Sequence, residues 1–228
     1  MVTGGSRGIG LAIATALAQA GASVAICSRN QAHVDDAVRQ LTDTAPSKVV
    51  GKAADVANSS EVAALFEFVD RELAGVDVLV NNAGIGVFAK TADLTDDQWQ
   101  RTIDTNLSGA FFCSRQALAR FKTAGAGYII NIGSLAGKNA FSGGAAYNAS
   151  KFGLRGFSEA MMLDHRYENV RVTHIMPGSV STKFSPDSGS TDWKIAPEDI
   201  ADIVLMLLRM PERSLVSQVE VRPSKPQK

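Results

Sequence analysis

Short apolar runs alternate along this chain with longer amphipathic segments, and no other feature constrains the fold as strongly. The apolar runs, which predict β-strands, cover residues 23–27, 48–53, 76–80, 127–132 and 170–176. The amphipathic segments, which predict helices, cover residues 9–20, 31–42, 59–73, 96–122 and 145–167. Such alternation favours a mainly parallel sheet with helices on both faces, so the sequence predicts a doubly wound α/β fold.

The composition is that of an ordinary globular protein and argues against several classes. The chain carries no formal net charge, with 23 basic and 23 acidic side chains, so nothing indicates binding to nucleic acid or to an anionic membrane. No apolar run reaches the roughly 18 residues of a membrane span, and the first residues do not resemble a signal peptide. We therefore expect a cytoplasmic protein with a single domain, residues 1–228.

The sequence predicts neither a disulfide nor a metal site. Cys27 and Cys113 lie in apolar stretches and are expected to be buried small hydrophobic residues. His33, His165 and His174 are far apart, and none has a partner four residues away. We expect these histidines to be ordinary helix and strand residues.

Two segments are expected to lack regular structure. Residues 179–196 are rich in Ser, Gly, Thr and Asp and follow the carboxyl end of a strand, where open α/β sheets bind ligands. We therefore expect a mobile substrate loop there. Residues 222–228 are expected to form a frayed tail.

A glycine-rich loop covers residues 3–10 (TGGSRGIG), directly before the first helical segment. Without Cβ atoms, its glycines let the backbone turn sharply and let a pyrophosphate approach the free N–H groups of the helix N-terminus. Glycines also serve plain tight turns, but this loop opens a βαβ pattern, which favours a dinucleotide site on a Rossmann domain. The predicted cofactor contacts in the loop are Gly4, Ser6, Arg7, Gly8, Ile9 and Gly10.

The end of the second strand indicates which cofactor binds. An NAD site usually places an acidic residue about 20 residues after the glycines, where it binds the ribose 2′-OH. This chain has Arg29 there, between Ser28 and Asn30. An arginine can bind a 2′-phosphate, and Arg7 can add a second cation, so we expect NADP(H) rather than NAD(H). The alternative is that both arginines are solvated surface residues.

Tyr147 and Lys151 form a candidate catalytic pair, because a spacing of four residues at the start of a helix puts them on one face. An ammonium beside a phenol stabilises the phenolate and lowers the phenol pKa from about 10. Tyr147 is then expected to act as general acid in carbonyl reduction, while Lys151 also binds the nicotinamide ribose. Ser134 ends a strand and can donate a hydrogen bond to the substrate carbonyl oxygen. Each feature alone is common, and only the combination indicates catalysis.

These motifs, in this order, resemble those of the short-chain dehydrogenase/reductase family over nearly the whole chain. The resemblance rests on the glycine loop, Asp55-Val56, the NNAG segment at 81–84, Asn106, Ser134, Tyr147, Lys151 and Pro177-Gly178. It implies an oxidoreductase that acts on CH–OH groups and transfers a hydride between NADP(H) and a small carbonyl or alcohol substrate.

The resemblance also implies roles for individual residues. Asp55 would bind the adenine amino group with Val56 beside it, and Asn106 would hold a water that links Lys151 to bulk solvent. The backbone wall against the cofactor would consist of Asn82, Ala83 and Gly84. The nicotinamide side would contact Pro177, Gly178, Val180 and Thr182. Each motif also has a simpler structural explanation: plain turns, a helix kink at position 106 and a loop start at 177. These explanations do not account for the occurrence of all the motifs together.

The chain departs from the family pattern at both ends. Only two residues precede Thr3, so the first strand is expected to be nearly missing and to leave groups of its neighbours unpaired. We expect a start site placed too late or a trimmed chain, which an intact mass would test. At the other end, residues 214–223 differ from the glycine-rich segment and final apolar strand of acyl-carrier-protein reductases. This difference and the short loop at 179–194 favour small hydroxy acids, sugars or other short carbonyl compounds as substrates.

Three functions stay open at this point. The leading hypothesis is a ketone or aldehyde reductase with Tyr147 as proton donor. The second is a 3-oxoacyl thioester (acyl-carrier-protein) reductase, which would prefer carrier-bound thioesters to free ketones. The third is a non-catalytic protein that senses NADP(H), and the presence of all four candidate catalytic residues disfavours it.

The resemblance further implies a homodimer or homotetramer in which the helices at 96–122 and 145–167 pair between subunits. The apolar residues compatible with such contacts, and equally with core packing, are Phe111, Phe112, Phe152, Phe157, Met161 and Met162.

Overall fold

The computed structural model describes residues 1–182, 184 and 192–226, and in these residues seven strands and seven α-helices alternate. The strands are β1 (Val2–Thr3), β2 (Val24–Ser28), β3 (Val49–Ala53), β4 (Val78–Asn81), β5 (Gly127–Ile132), β6 (Val170–Pro177) and β7 (Gln218–Val221). The helices are α1 (Gly8–Gln19), α2 (Gln31–Thr42), α3 (Ser59–Leu73), α4 (Asp96–Ile103), α5 (Gly109–Ala124), α6 (Ala145–His165) and α7 (Pro197–Arg209).

All strand pairs are parallel, and the strand order is β3-β2-β1-β4-β5-β6-β7. Successive residues of a strand point to opposite faces, so β5 places Ile130 and Ile132 in one core and Ile129 in the other. Helices α1, α2 and α7 cover the first face, and α3, α5 and α6 cover the second. The predicted doubly wound α/β fold is therefore confirmed. The chain reverses direction across the sheet between β1 and β4, which is where such sheets bind ligands.

The first strand is short but paired on both sides. Val2 is in register with Ile26 of β2 and with Val80 of β4, and the Val80 N–H donates to the Met1 carbonyl over 2.9 Å. The expected gap in the sheet is therefore not found at these positions. Two residues suffice because alternate residues bond opposite neighbours and Met1 adds backbone bonds to β4, from its amino group to the Val78 carbonyl and from the Val80 N–H to its own carbonyl.

The predicted helix at 96–122 is interrupted. Helix α4 ends at Ile103, a π-helical turn covers Asp104–Ser108, and α5 follows. A π-helical turn inserts an extra residue into the helical hydrogen-bond ladder and is frequent at functional sites. Asn106 lies in this turn, where the sequence had offered a helix kink as the simpler explanation.

The carboxyl-terminal part of the chain adds two elements that the sequence patterns did not predict. Helix α7 packs against α1, and β7 pairs with β6 in the register His174↔Gln218 to Pro177↔Val221. The carboxyl-terminal segment therefore does contain a strand, while its sequence differs from a glycine-rich segment with a final apolar strand as the sequence indicated. Gln218–Val221 is a half-exposed edge strand, so its sequence is polar at alternate positions instead of continuously apolar.

Part of the predicted substrate loop and of the predicted tail, residues 183, 185–191 and 227–228, lies outside the described residues, and the mobility of both segments stays a prediction. Val180 and Ile195 form an isolated parallel bridge between the two ends of the loop. Within the described ranges, no helix is long and apolar enough to span a bilayer, and no group of three or more His, Cys, Asp or Glu side chains could hold a metal ion. Cys27 and Cys113 are buried free thiols.

Candidate active site

The glycine loop and the segment after β4 are fixed to each other by a short polar network. The Thr3 hydroxyl accepts hydrogen bonds from the N–H groups of Asn82 and Ala83, both over 3.0 Å. The Asn82 amide donates back to the carbonyls of Thr3 and Gly4 over 3.0 and 3.2 Å. The predicted pyrophosphate loop and the predicted cofactor wall are therefore one rigid unit at the carboxyl edge of the sheet.

The backbone of the glycine loop requires glycine at two positions and close approach at a third. Gly4 and Gly8 have φ angles of +63° and +56°, in the left-handed region that glycine adopts without strain. A Cβ on Gly10 would lie 2.3 Å from the Gly4 carbonyl oxygen. Helix α1 begins at Gly8 with no side-chain cap and no acidic residue in its first turn, so its N–H groups and positive dipole end are available to an anion.

The part of this edge beside β2, where the sequence predicts the adenosine of the cofactor, contains an exposed cation, and the carboxylates at the start of α2 are engaged. Arg29, directly after β2, is exposed and forms no ion pair with a described residue. The Asn30 side chain caps α2 by accepting from the His33 N–H over 3.1 Å. Asp35 accepts from Gln31 over 2.7 Å, and Asp36 pairs with Arg39. A 2′-phosphate would thus find Arg29 without a competing carboxylate from the start of α2.

Asp55 follows β3 and is held in a turn. One of its carboxylate oxygens accepts from the Ala57 N–H over 3.0 Å, and its own N–H donates to Glu61 over 2.9 Å. Val56 beside it is buried at 5% exposure. The turn fixes the carboxylate at the sheet edge and leaves one oxygen available to a ligand donor.

Ser134, Tyr147 and Lys151 are brought together by β5 and α6. The Ser134 hydroxyl, which accepts a hydrogen bond from the Ala136 N–H over 3.1 Å, lies near enough to the Tyr147 phenol to act on the pKa of that phenol. The Lys151 Nζ lies 5.8 Å from the Tyr147 ring centroid and donates to the Ile132 carbonyl over 3.0 Å. Both the tyrosine and the lysine are buried, at 9% and 5% exposure. The strand end and the first turns of the helix thus converge on one small polar cluster.

Burial shifts both titratable groups of this cluster toward their neutral forms. It raises the pKa of the Tyr147 phenol above its ordinary value of 10, and the nearby Ser134 hydroxyl opposes this only in part. Burial also lowers the pKa of the Lys151 ammonium to about 8. The predicted lowering of the Tyr147 pKa is therefore wrong in this structure, because desolvation of the phenolate outweighs the stabilising contacts.

Asn106 makes three side-chain hydrogen bonds, all to protein groups. Its Oδ1 accepts from the Ile85 N–H over 2.8 Å, and its amide donates to the Ile85 carbonyl and the Ser150 hydroxyl over 2.9 and 3.0 Å. The side chain thus ties the π-helical turn both to α6 and to the segment after Gly84. Because both amide hydrogens of Asn106 are used, a water bound to this residue would have to donate a hydrogen bond to one of its carbonyl oxygens.

The segment after β6 approaches the glycine loop. The Thr182 methyl carbon lies 3.4 Å from the position of a Cβ on Gly8. The Gly178 N–H donates to the Val221 carbonyl of β7 over 2.8 Å, which fixes the start of the segment to the edge strand. The structure therefore places Pro177, Gly178, Val180 and Thr182 along the same edge as the loop at residues 3–10.

Three phenylalanines beside Tyr147 were missed by the sequence analysis. The ring centroids of Phe88 and Phe184 lie 5.6 and 5.8 Å from that of Tyr147, and Phe141 lies 5.8 Å from Phe88. They belong to three separate loops and share no motif. No spacing in the sequence could have identified them.

Comparison with known proteins gives consistent similarities over the chain. Residues 1–193 match the family model described as short chain dehydrogenase. An uncharacterised oxidoreductase of Staphylococcus aureus (strain USA300) is 33% identical over 224 residues, which cover 98% of this chain and 96% of that protein. A metagenomic short-chain oxidoreductase in complex with NADP is 36% identical with a TM-score of 0.87, covering 99% of this chain and 96% of that one. An alcohol dehydrogenase of the archaeon Thermococcus sibiricus, complexed with 5-hydroxy-NADP, is 27% identical with a TM-score of 0.91, covering 100% and 97%.

Proposed function

This chain belongs to the short-chain dehydrogenase family, and we propose that it reduces a carbonyl compound to an alcohol with NADPH, using Tyr147 as the proton donor. The observation that carries the proposal is the buried cluster in which the Ser134 hydroxyl acts on the Tyr147 phenol and the Lys151 Nζ lies 5.8 Å from the Tyr147 ring centroid. When bound, NADPH supplies the hydride that the carbonyl carbon receives.

The raised pKa of Tyr147 suits its role as an acid. A phenol that stays neutral at pH 7 has a proton to donate to the carbonyl oxygen, and the Ser134 hydroxyl can hold that oxygen in place. As the proton leaves, the positive charge of Lys151 one helical turn away stabilises the phenolate. Asn106 acts through position, because it fixes the backbone on both sides of the crevice.

The proposed cofactor fits the residues of the sheet edge. The open start of α1 and the left-handed Gly4 and Gly8 form a cradle for a pyrophosphate. Arg29 and Arg7 are exposed cations that can bind the 2′-phosphate, and two structural relatives were solved with NADP or 5-hydroxy-NADP. Asp55 is proposed to bind adenine, and the segment from Asn82 to Gly84 to line the cofactor.

The cofactor preference is tested by titrating NADPH and NADH into the purified protein. We expect Arg29→Ala to weaken NADPH binding at least about tenfold, because a charge-assisted contact is lost, and to leave NADH binding unchanged. Arg39→Ala is the matched control, since this exposed arginine pairs with Asp36 on α2. Tighter binding of NADH than of NADPH by the wild type would overturn the cofactor assignment.

The chemistry is tested by following NADPH oxidation with a panel of ketones and aldehydes. We expect Tyr147→Phe to lose at least about a thousandfold in kcat, since it removes the donated proton and keeps the ring. NADPH affinity should change little. Equal turnover by wild type and variant would show that Tyr147 is not the acid.

A 3-oxoacyl thioester reductase is the second candidate, because the chain does end in a sheet strand, β7, although this strand is not continuously apolar. Faster turnover of carrier-bound thioesters than of free ketones in the same panel would favour it. The cytoplasmic location and the absence of nucleic-acid and membrane partners stay predictions from the sequence.

A further inference from the structure

Three exposed phenylalanine rings surround the proposed proton donor. Phe88, Phe141 and Phe184 are 41%, 46% and 43% exposed, although each lies within a short chain of ring contacts that begins at Tyr147. Large apolar side chains that cluster in contact with water indicate a surface that another apolar group covers. Their position beside the proposed acid identifies that group as part of the substrate.

The backbone holds these rings close together. A Cβ on Gly86 would lie 2.8 Å from the Phe88 ring and 2.9 Å from the Phe184 ring, and a Cβ on Gly144 would lie 2.7 Å from the Phe141 ring. The two loops that carry Phe88 and Phe141 are joined by a bridge between Ala89 and Gly144. The rings therefore occupy space that the side chain of any residue other than glycine at positions 86 and 144 would fill.

Among the described residues, no lysine or arginine head group lies over Phe88, Phe141 or Phe184, whereas such contacts occur at Phe66, Phe68 and Phe111. The Lys151 ammonium, 5.8 Å from the Tyr147 ring centroid, is buried and donates to the Ile132 carbonyl. The three rings themselves therefore offer apolar contact and no charge to a substrate.

We propose that the substrate carries an aryl group directly on, or one bond away from, its carbonyl carbon, and that Phe88, Phe141 and Phe184 select it. This inference rests on the proposed reductase activity. The ring centroids of Phe88 and Phe184 lie less than 6 Å from that of Tyr147. An aryl group next to the carbonyl carbon would therefore contact these rings when the carbonyl oxygen accepts a hydrogen bond from the Tyr147 phenol. Aromatic rings in tilted and edge-on arrangements, as found between these side chains, are favourable partners for a further ring.

The test measures kcat/KM with NADPH for acetophenone, 2-butanone and pyruvate in wild type and variants. We expect Phe88→Ala and Phe141→Ala each to lower kcat/KM for acetophenone about tenfold, mainly through KM, and to change kcat/KM for 2-butanone less than about twofold. Phe88→Leu should retain most of the activity because it keeps apolar volume. The control is Tyr167→Ala, an aromatic residue with 91% exposure beyond the far end of α6, roughly 30 Å from Tyr147 along the helix axis.

A binding measurement separates recognition from turnover. In the Tyr147→Phe variant saturated with NADP⁺, calorimetry should show that 1-phenylethanol binds and that Phe88→Ala weakens its binding about tenfold. Equal losses for acetophenone and 2-butanone, or pyruvate as the preferred substrate, would overturn the aryl assignment and leave the reductase activity standing. No turnover of any carbonyl compound would overturn the reductase activity and the aryl assignment together.

Discussion

Desolvation sets the protonation of the buried residues at the sheet edge. It disfavours the charged form of every group, so it raises the pKa of the Tyr147 phenol and lowers the pKa values of Lys151 and His174 to about 8 and about 4. The sequence placed an ammonium beside a phenol correctly, but the sign of the phenol shift depends on how much water the fold excludes. Function at this scale depends on burial as much as on residue identity.

The phenol of Tyr147 is expected to titrate above pH 10 in the protein without added nucleotide. The measurement is a spectrophotometric titration at the tyrosinate band, with the Tyr147→Phe variant subtracted to isolate this side chain. A difference signal with a midpoint below about 9 would contradict the dominance of desolvation.

His174 is expected to destabilise the protein in mild acid. The side chain is 1% exposed, and neither ring nitrogen has a described hydrogen-bond partner. Burial, together with the charges of Lys151 and Arg155, lowers the pKa of the imidazole to about 4. Glu159 lines the same small pocket. Between about pH 6.5 and 4, His174 is therefore protonated in the unfolded chain and neutral in the folded chain. The free energy of unfolding falls as the pH drops through this window.

The expected loss from His174 is about 2 kcal/mol between pH 7 and pH 5. It is measured by urea unfolding at both pH values in wild type and His174→Gln, because the variant lacks this proton. The pH dependence of the variant should be smaller by about that amount. Identical pH dependence in the two proteins would show that His174 is not desolvated as the structure indicates.

At the scale of elements, the turn between β1 and α1 decides where the nucleotide phosphates can lie. Gly4 and Gly8 supply the left-handed backbone, and Gly10 lets the first turn of the helix approach the loop. On the other side of the crevice, the π-helical turn at Asp104–Ser108 carries Asn106, whose side chain joins this turn to α6. The turn between β1 and α1 and the π-helical turn are both irregular segments at the site. The regular strands and helices that flank them hold them in position.

Gly10→Ala is expected to lower the free energy of unfolding by about 1–3 kcal/mol, because the added methyl would collide with backbone and cannot be relieved by a side-chain movement. Helix propensity alone predicts the opposite, a gain of about 1 kcal/mol. Chemical denaturation distinguishes the two by sign. NADPH affinity should fall as well, and a variant more stable than wild type would show that the close approach is absent.

At the scale of the whole molecule, the outer faces of α5 and α6 leave large apolar side chains in water. Phe111, Phe152 and Leu163 are 42%, 43% and 54% exposed, while Met161, one of the residues compatible with subunit contacts, is 3% exposed and belongs to the core. Large exposed apolar side chains on neighbouring helices are typical of a subunit interface. We therefore propose that the homodimer or homotetramer expected from the resemblance forms through these two helices.

Phe111→Glu is expected to shift the protein toward monomers, because desolvating a carboxylate at an apolar interface is costly even with Arg115 beside position 111. Light scattering coupled to size-exclusion chromatography measures the mass of the particle, and Phe111→Leu, which keeps the apolar surface, should leave it unchanged. A monomeric wild type would refute the assignment of this face.

The sequence by itself determined the alternation of strands and helices from β2 to β6, the phosphate loop and the serine, tyrosine and lysine at the sheet edge, because these follow from local periodicity and from spacing within a turn or a strand end. The predicted boundaries of β5 and α2 agree with the structure, while α7 was not predicted and β7 was missed because an edge strand is only half apolar. Tertiary structure alone decided the direction of the Tyr147 pKa shift and the gathering of Phe88, Phe141 and Phe184. Both depend on contacts between residues far apart in the chain, and no local pattern encodes desolvation or the meeting of three loops.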